Sequence, residues 1–372
     1  MRQVTASQTI ALDTKAKAML AAGQDVINLS VGELDFAAPT AVQVAVTAQV
    51  SVEGMNRYSP VPGLPAAKQA VVEYEQRQHG VEYAPDQVLL SNGAKQALYV
   101  AFQTLVEPGD EVLVIQPGWV SYVEQIKLAG GVPVSVESDE QFLPTIAALQ
   151  QVTTARTKGL ILNYPNNPTG AVYPAELLQQ IAALAAKHNW WVVSDEIYEH
   201  ILYSGEPFHS FAAYYPNTVV VNGLSKAAAV TGWRIGYAVG PKPIMAAMTA
   251  IQSHLTGNVS NVMQAALAPG LAAGLPAEWL TALQERRQLI LDWVVQQPKL
   301  KLVAPAGAFY CFIDIRAISM DSVTFCEQLL QQQQVALVPG LYFGRDGYVR
   351  LSFASALPKL QRALERIGKF VL

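Results

Sequence analysis

The stretch from Asn222 to Tyr237 restricts what this chain can fold into more than any other. It follows Thr218–Val221, a β-branched run that reads as a short buried strand and is closed by the turn signal Asn222-Gly223. Lys226 then stands among small, polar and apolar residues, and Arg234 follows in an apolar, glycine-flanked segment that reads as strand-like. Burial of an ammonium is costly and lowers its pKa toward that of a usable amine nucleophile. Arg234 keeps its charge, so a buried position requires an anion beside it. A free amine and a fixed cation a short distance apart suit a partner carrying both an aldehyde and a phosphate. A lone Lys or Arg is far more often an ordinary surface charge, so the rest of the chain has to decide.

The chain has 372 residues, 51% of them apolar and only 15% charged, which favours two domains or one large α/β body with an extensive core or subunit interface. The formal net charge is −4 without a basic cluster, which argues against nucleic-acid binding. Two cysteines, Cys311 and Cys326, are too few for a disulfide framework and fit a reduced, cytoplasmic setting. The N-terminal MRQVTASQTIALDTKAK lacks the apolar core of a signal peptide. The most apolar long stretch, 262–280, is interrupted by Gln264, Pro269, Gly270, Gly274, Pro276 and Glu278, so no membrane span is expected.

Strand-like and helix-like segments alternate. A strand at 87–90 runs into Ser91-Asn92-Gly93-Ala94-Lys95-Gln96 and a helix over 97–106. Strand, glycine turn and helix start in that order make an anion site, because the first-turn N–H groups point outward with the positive end of the helix dipole. Neither G-x-G-x-x-G nor G-x-x-x-x-G-K-[ST] occurs, so nucleotide-binding fingerprints are absent. A strand at 111–115 ends in Pro117-Gly118-Trp119-Val120-Ser121-Tyr122; beyond the carboxyl end of a strand, an indole face can stack on a planar ring. Asn163-Tyr164-Pro165-Asn166-Asn167-Pro168-Thr169-Gly170 is turn chemistry at a strand end. Asp195 closes the apolar run 190–194, with Tyr198 three residues on, and a carboxylate there needs a cationic or donor partner such as a protonated ring nitrogen. Arg350 is the one charge in the apolar strand 348–353 and poses the same question as Arg234.

Together NGAKQAL, PGWVSY, NPTG, SDEIYE, LSKAAAVTGWRIGYAVGP and VRLSFA resemble the class I aminotransferases of pyridoxal-phosphate fold type I, closest to the subgroup of bacterial aspartate and aromatic aminotransferases. The resemblance runs from Asp25 to beyond Phe353, with the motifs in the family's order. It implies pyridoxal 5′-phosphate as cofactor. Lys226 matches the lysine that condenses with the cofactor aldehyde and later shuttles a proton; Asp195 matches the carboxylate paired with the pyridine nitrogen. Tyr198 and Asn167 match the pair on the phenolic oxygen, and Trp119 the stacking aromatic. Gly93, Ala94 and Lys95 match the phosphate loop, joined by Ser225 and Arg234, while Tyr58 matches a tyrosine reaching the phosphate of a neighbouring subunit in a homodimer. Arg350 matches the arginine that grips the substrate α-carboxylate, helped by Asn167 and the backbone near Gly32, with Trp119 at the same place. No residue is assigned to a metal. The family's usual Gly-Glu-Pro-Asp-Phe is Gly-Glu-Leu-Asp-Phe here, and Leu34 is expected to free a loop close to the substrate. The segment 254–260 also departs from the Ser/Thr-rich version of relatives.

The implied fold is α/β: a large domain over 39–275, with a mostly parallel seven-stranded sheet sandwiched by helices, and a smaller α+β domain from 1–38 and 276–372. The implied activity is transfer of an amino group between an L-amino acid, leaning to aspartate and otherwise aromatic, and a 2-oxoacid such as 2-oxoglutarate, the group being held on the cofactor in between. The lean to aspartate rests on Lys95, matching a lysine that helps hold a distal carboxylate. A C–S lyase acting on cystathionine or cysteine would use the same cofactor residues and is the alternative. A non-catalytic effector module fused to a DNA-binding domain finds no basic helix-turn-helix to support it.

Overall fold

The computed structural model describes residues 8–371. The first seven residues, part of the stretch read as lacking a signal peptide, and Leu372 lie outside the described residues. Seven strands form the central sheet: β1 (Val88–Ser91), β2 (Glu111–Gln116), β3 (Val132–Glu137), β4 (Thr157–Asn163), β5 (Trp191–Asp195), β6 (Thr218–Gly223) and β7 (Gly236–Val239). Their order is β1-β7-β6-β5-β4-β2-β3. Only β7 runs against its neighbours, pairing antiparallel with both β1 and β6. Helices cover both faces, which is why the central strands read as continuous apolar runs rather than alternating ones. Leu160, Leu162, Val192, Val193 and Val220 are almost wholly buried, each worth about 1.5–3 kcal/mol relative to exposure.

A second, antiparallel sheet orders β10-β11-β9-β8, from β8 (Lys301–Leu302), β9 (Tyr310–Asp314), β10 (Val338–Pro339) and β11 (Tyr348–Ser352). The two ends of the chain meet here. Ile27 and Asn28 pair in parallel with Val335 and Ala336, and Ser352 N donates to Leu29 O. The long helix Ala277–Val295 and the final helix Leu357–Val371 pack beside this sheet on one apolar cluster.

Three local expectations differ from the structure. The helix after β1 begins at Ala94 with Gly93 as N-cap, three residues before the expected 97, because Gly93 takes the φ of +77° needed to turn straight from strand into helix. Arg234 is not in a strand and is not buried. It is an exposed residue at φ +54°, between a short 3-10 turn, Thr231–Trp233, and β7. Leu34, expected to loosen its loop, is itself buried in the apolar cluster that contains Ile197 and Tyr198. Packing anchors the loop there. No described helix is long and apolar enough to cross a membrane.

Candidate functional site

The parallel strands run in one direction and their carboxyl ends converge, so whatever residue follows each strand faces a common crevice. That crevice is a cavity of about 410 Å³ lined by residues from the ends of β1, β2, β4, β5 and β6, from the Ser30–Glu33 loop, and by Tyr310 and Arg350 of the second sheet. Ala94, Lys95, Trp119, Asn167, Asp195, Tyr198, Ser225, Lys226, Arg234, Gly32 and Arg350 are thereby brought together. Gly93 stands just behind, where a Cβ would fall 2.5 Å from Arg234 Nη2. Tyr58 does not line the cavity; its side chain is 100% exposed.

Lys226 lies in the single helical turn after β6, and its Nζ donates to Gly32 O at 2.5 Å. Burial pushes the amine down to about 8, with Glu33 opposing that shift and the Arg350 and Arg234 charges reinforcing it. Asp195, at the end of β5, is 3% exposed. Burial pushes its carboxyl up to about 6, although Tyr122 donates to Oδ2 at 2.7 Å. The group is a buried acid with two fixed donors, Tyr122 OH on Oδ2 and Ile197 N on Oδ1 (3.4 Å), and a face open to the cavity.

The anion site expected at the Ala94 helix gains its cation from Arg234, whose Nη1 and Nη2 donate to Thr231 O (2.9 Å) and Asn92 O (3.2 Å). Two carbonyls hold the guanidinium over the helix start while leaving it exposed for a ligand. The N–H groups of Ala94 and Lys95 have no acceptor within their helix, and Ser225 closes one side. Lys95 Nζ sits 4.8 Å from the Trp119 ring centroid.

Arg350, on β11 opposite Phe312 and Val338, is 4% exposed and forms no ion pair among the described residues. Nη1 donates to Asn167 Oδ1 at 2.8 Å, Nη2 donates to Ser30 O, and Nε has no partner. The guanidinium lies over the Tyr310 and Phe343 rings, 4.5 and 5.0 Å from their centroids. A permanent cation held this way, with carbonyls and π-faces but no carboxylate, is costly without an anionic ligand. Asn167 is itself fixed through the turn at 163–170: its N donates to Asn163 Oδ1 at 2.9 Å, and Asn163 Nδ2 donates to Asp195 O at 3.0 Å. The structural and functional readings of that turn are therefore the same reading.

Sequence reasoning assigned no role to Tyr122 or Tyr310. Tyr122 was visible inside PGWVSY, three residues after Trp119 and thus on one helix face. Tyr310, whose hydroxyl is 2.8 Å from that of Tyr198, gave no signal, since a tyrosine in a buried strand is ordinary.

The donor set fits a phosphorylated aldehyde with a basic ring: a helix start with Arg234 for phosphate, a lowered amine for the aldehyde, and a buried carboxylate for a ring nitrogen. Comparison with known proteins agrees. The family described as aminotransferase class I and II matches residues 24–367. The aspartate aminotransferase of Geobacillus stearothermophilus is 44% identical over 99% of this chain and 97% of its own. The aspartate/prephenate aminotransferase of Thermus thermophilus is 41% identical over 98% of this chain and 95% of its own. The solved structure of a Thermus thermophilus aspartate aminotransferase with maleate superposes with a TM-score of 0.95 at 41% identity, covering 100% of this chain and 98% of that one.

Proposed function

Because the chain belongs to the class I and II aminotransferases, which are pyridoxal-phosphate enzymes, we propose that its amino donor is aspartate and its acceptor a 2-oxoacid such as 2-oxoglutarate. The observation that carries this reading is the pair of cations at the cavity: Arg350, buried without an acid, and Lys95, at the rim beside Trp119. A dicarboxylic substrate places one carboxylate on each.

In this reading Ala94, Lys95, Ser225 and Arg234 hold the cofactor phosphate, Trp119 covers the ring, Asp195 pairs with the ring nitrogen, and Asn167 and Tyr198 bond its phenolic oxygen. Bound there, pyridoxal phosphate supplies an aldehyde that condenses with amines and a protonated ring that takes up negative charge from the substrate α-carbon. Asp195 keeps the ring nitrogen protonated because its own charge, desolvated by burial, is stabilised by a proton beside it. Lys226, with an amine lowered to about 8, carries the proton between the substrate α-carbon and cofactor C4′, a general acid–base role suited to a pKa near the working pH. Arg350 and Asn167 orient the α-carboxylate so that the α-proton faces Lys226.

Two assembly features belong to the same proposal. Residues 1–38 and 276–372 act as a smaller domain against 39–275 and close over substrate to exclude water; the Leu29–Ser352 and Ile27–Val335 pairings support their unity. The fully exposed Tyr58 side chain reaches the phosphate of the partner in a cytoplasmic homodimer.

The test is the absorbance of the loaded enzyme titrated with aspartate, glutamate, phenylalanine and cystathionine separately, without an oxoacid. Aspartate is expected to shift the cofactor band most completely, with 2-oxoglutarate restoring it. Phenylalanine outperforming aspartate refutes the dicarboxylate reading, and pyruvate accumulating from cystathionine assigns a lyase instead.

A further inference from the structure

The turn after β5 alternates. Asp195 and Tyr198 face the cavity, whereas Glu196 and Glu199, 0% and 3% exposed, point the other way into the protein, toward the helix Pro65–His79. There each carboxylate divides its two oxygens. Glu196 Oε1 accepts from Ser194 Oγ (2.7 Å), Ser210 Oγ (3.1 Å) and Phe211 N (3.0 Å), while Oε2 has no partner. Glu199 Oε1 accepts from Tyr74 OH (2.5 Å) and Asn222 Nδ2 (2.6 Å), while Oε2 has no hydrogen bond. The side chain of His79 is 1% exposed, and neither ring nitrogen makes a hydrogen bond. Its Nε2 stands 2.8 Å from Glu199 Oε2, an ion-pair distance without the alignment of a hydrogen bond. One donor atom from each of His79, Glu196 and Glu199 falls within 4.8 Å of the other two.

We infer that His79, Glu196 and Glu199 bind a divalent cation of the zinc class behind the cavity, independently of the cofactor. Three donors at about 2.1 Å from one ion lie roughly 3–4 Å apart, a ring these side chains reach by small rotations. The donor chemistry is borderline: one imidazole and two carboxylates favour Zn²⁺, with Mn²⁺ next, over Mg²⁺ or Ca²⁺. The charges cancel, two carboxylates against one divalent ion with a neutral imidazole, in a place where an uncompensated charge is expensive. The outer partners are built as metal carboxylates require, with the far oxygen of each ligand fixed by hydroxyl, amide or backbone donors. His79 is held from the side by the Tyr74 and Phe208 rings, edge-on at 5.7 and 5.8 Å. The ion is structural. It ties the end of the Pro65–His79 helix to the turn that carries Asp195 and Tyr198, and Asn222 extends the tie toward Lys226.

The experiment is elemental analysis of tag-free holoenzyme, followed by chelator dialysis and calorimetric titration with ZnCl₂ and then MnCl₂ at pH 8. One equivalent of metal per chain is expected on purification or on titration, together with a melting temperature several degrees higher with Zn²⁺ than after chelation. His79→Gln and, as a second variant of nearly unchanged shape, Glu196→Gln are each expected to weaken uptake at least a hundredfold. Wild-type enzyme that takes up neither metal stoichiometrically overturns the proposal, since protons then satisfy the cluster. Undiminished uptake by both variants overturns it too, because the ion then sits elsewhere, on the cofactor phosphate for example.

Discussion

The two faces of the Asp195–Glu199 turn differ in what their charges lack. On the cavity face Lys95, Lys226, Arg234 and Arg350 converge, and none makes an ion pair among the described residues. Carbonyls of Gly32, Thr231, Asn92 and Ser30 hold three of them in place without neutralising them. On the opposite face the carboxylates of Glu196 and Glu199 each have one oxygen saturated by the chain's own donors. The cavity face is positioned but uncompensated and so is complete only with an anionic ligand. On the other face one oxygen of each carboxylate is fixed, the second has no hydrogen bond and is left for the inferred cation, and the fixed oxygens hold the turn. Uncompensated cations beside a cavity mark where chemistry is proposed, while buried carboxylates fixed on one oxygen and turned away from the cavity mark what keeps the turn in place.

If that division is right, substitutions on the cavity face change catalysis far more than folding. Lys226→Ala is expected to have the largest effect, lowering transamination by up to ~10⁴-fold, since it removes the proposed proton carrier. Borohydride reduction is expected to fix the cofactor covalently to the wild-type chain and not to the variant, which intact-mass measurement reads directly. Arg350→Ala comes next. Removing one partner of a buried charged pair costs about 2–5 kcal/mol, so kcat/KM for aspartate is expected to fall roughly 30- to 5,000-fold. The variant protein without substrate should lose little stability, because the guanidinium has no acid of its own to abandon. An equal loss of apo stability would put Arg350 on the structural side of the comparison.

Asp195 offers a test in which activity and stability move in opposite directions. Its carboxyl rises from an ordinary 3.8 to about 6 through burial. Below pH 3.8 both folded and unfolded forms are protonated and the group costs nothing. Between 3.8 and 6 only the unfolded chain ionises, so apo stability falls, and above 6 the penalty is constant at about 3 kcal/mol. Asp195→Asn escapes it. The apo variant is therefore expected to be more stable than apo wild type by up to that amount at pH 8 and nearly equal to it at pH 4, by urea denaturation, while transamination by the loaded enzyme drops. A gap that does not change with pH would show that Tyr122 and the Ile197 N–H already compensate Asp195.

What could be read from the sequence follows the same division. Lys226, Asp195 and Arg350 were legible because a charge at the end or middle of an apolar run contradicts its surroundings, and the contradiction has a chemical remedy. Tyr122 and Tyr310 contradict nothing and were silent. Arg234 was placed in the wrong element because a left-handed residue before a strand leaves no pattern in the side chains, only in the backbone. The face behind the turn was invisible for a further reason. In the helix Pro65–His79 the buried positions include Ala67, Val71 and Tyr74, and beside them a charged residue, Glu75, that is 0% exposed, which nothing in its local sequence announces. The burial of Glu75 and His79 depends on Glu199 and Tyr237, which lie more than a hundred residues away. The seven-stranded sheet was implied by the family resemblance, whereas its order of strands was not legible, because local runs of apolar residues do not say which strands pair.

The smallest expected effect probes the supporting face. Ser210 Oγ donates to Glu196 Oε1 at 3.1 Å from a fully buried position, and neither atom borders the cavity. Ser210→Ala removes one of the three donors on that oxygen and leaves Ser194 and Phe211 in place, so Glu196 stays partly satisfied. Loss of one such hydrogen bond costs about 0.5–1.5 kcal/mol with a neutral acceptor and about 1.5–3 kcal/mol with a charged one. The melting temperature is therefore expected to fall by a few degrees with kcat/KM for aspartate within about twofold of wild type. If kcat falls substantially while stability is unchanged, Glu196 transmits directly to Asp195 one residue away. The turn would then be one electrostatic unit rather than a working face and a supporting one.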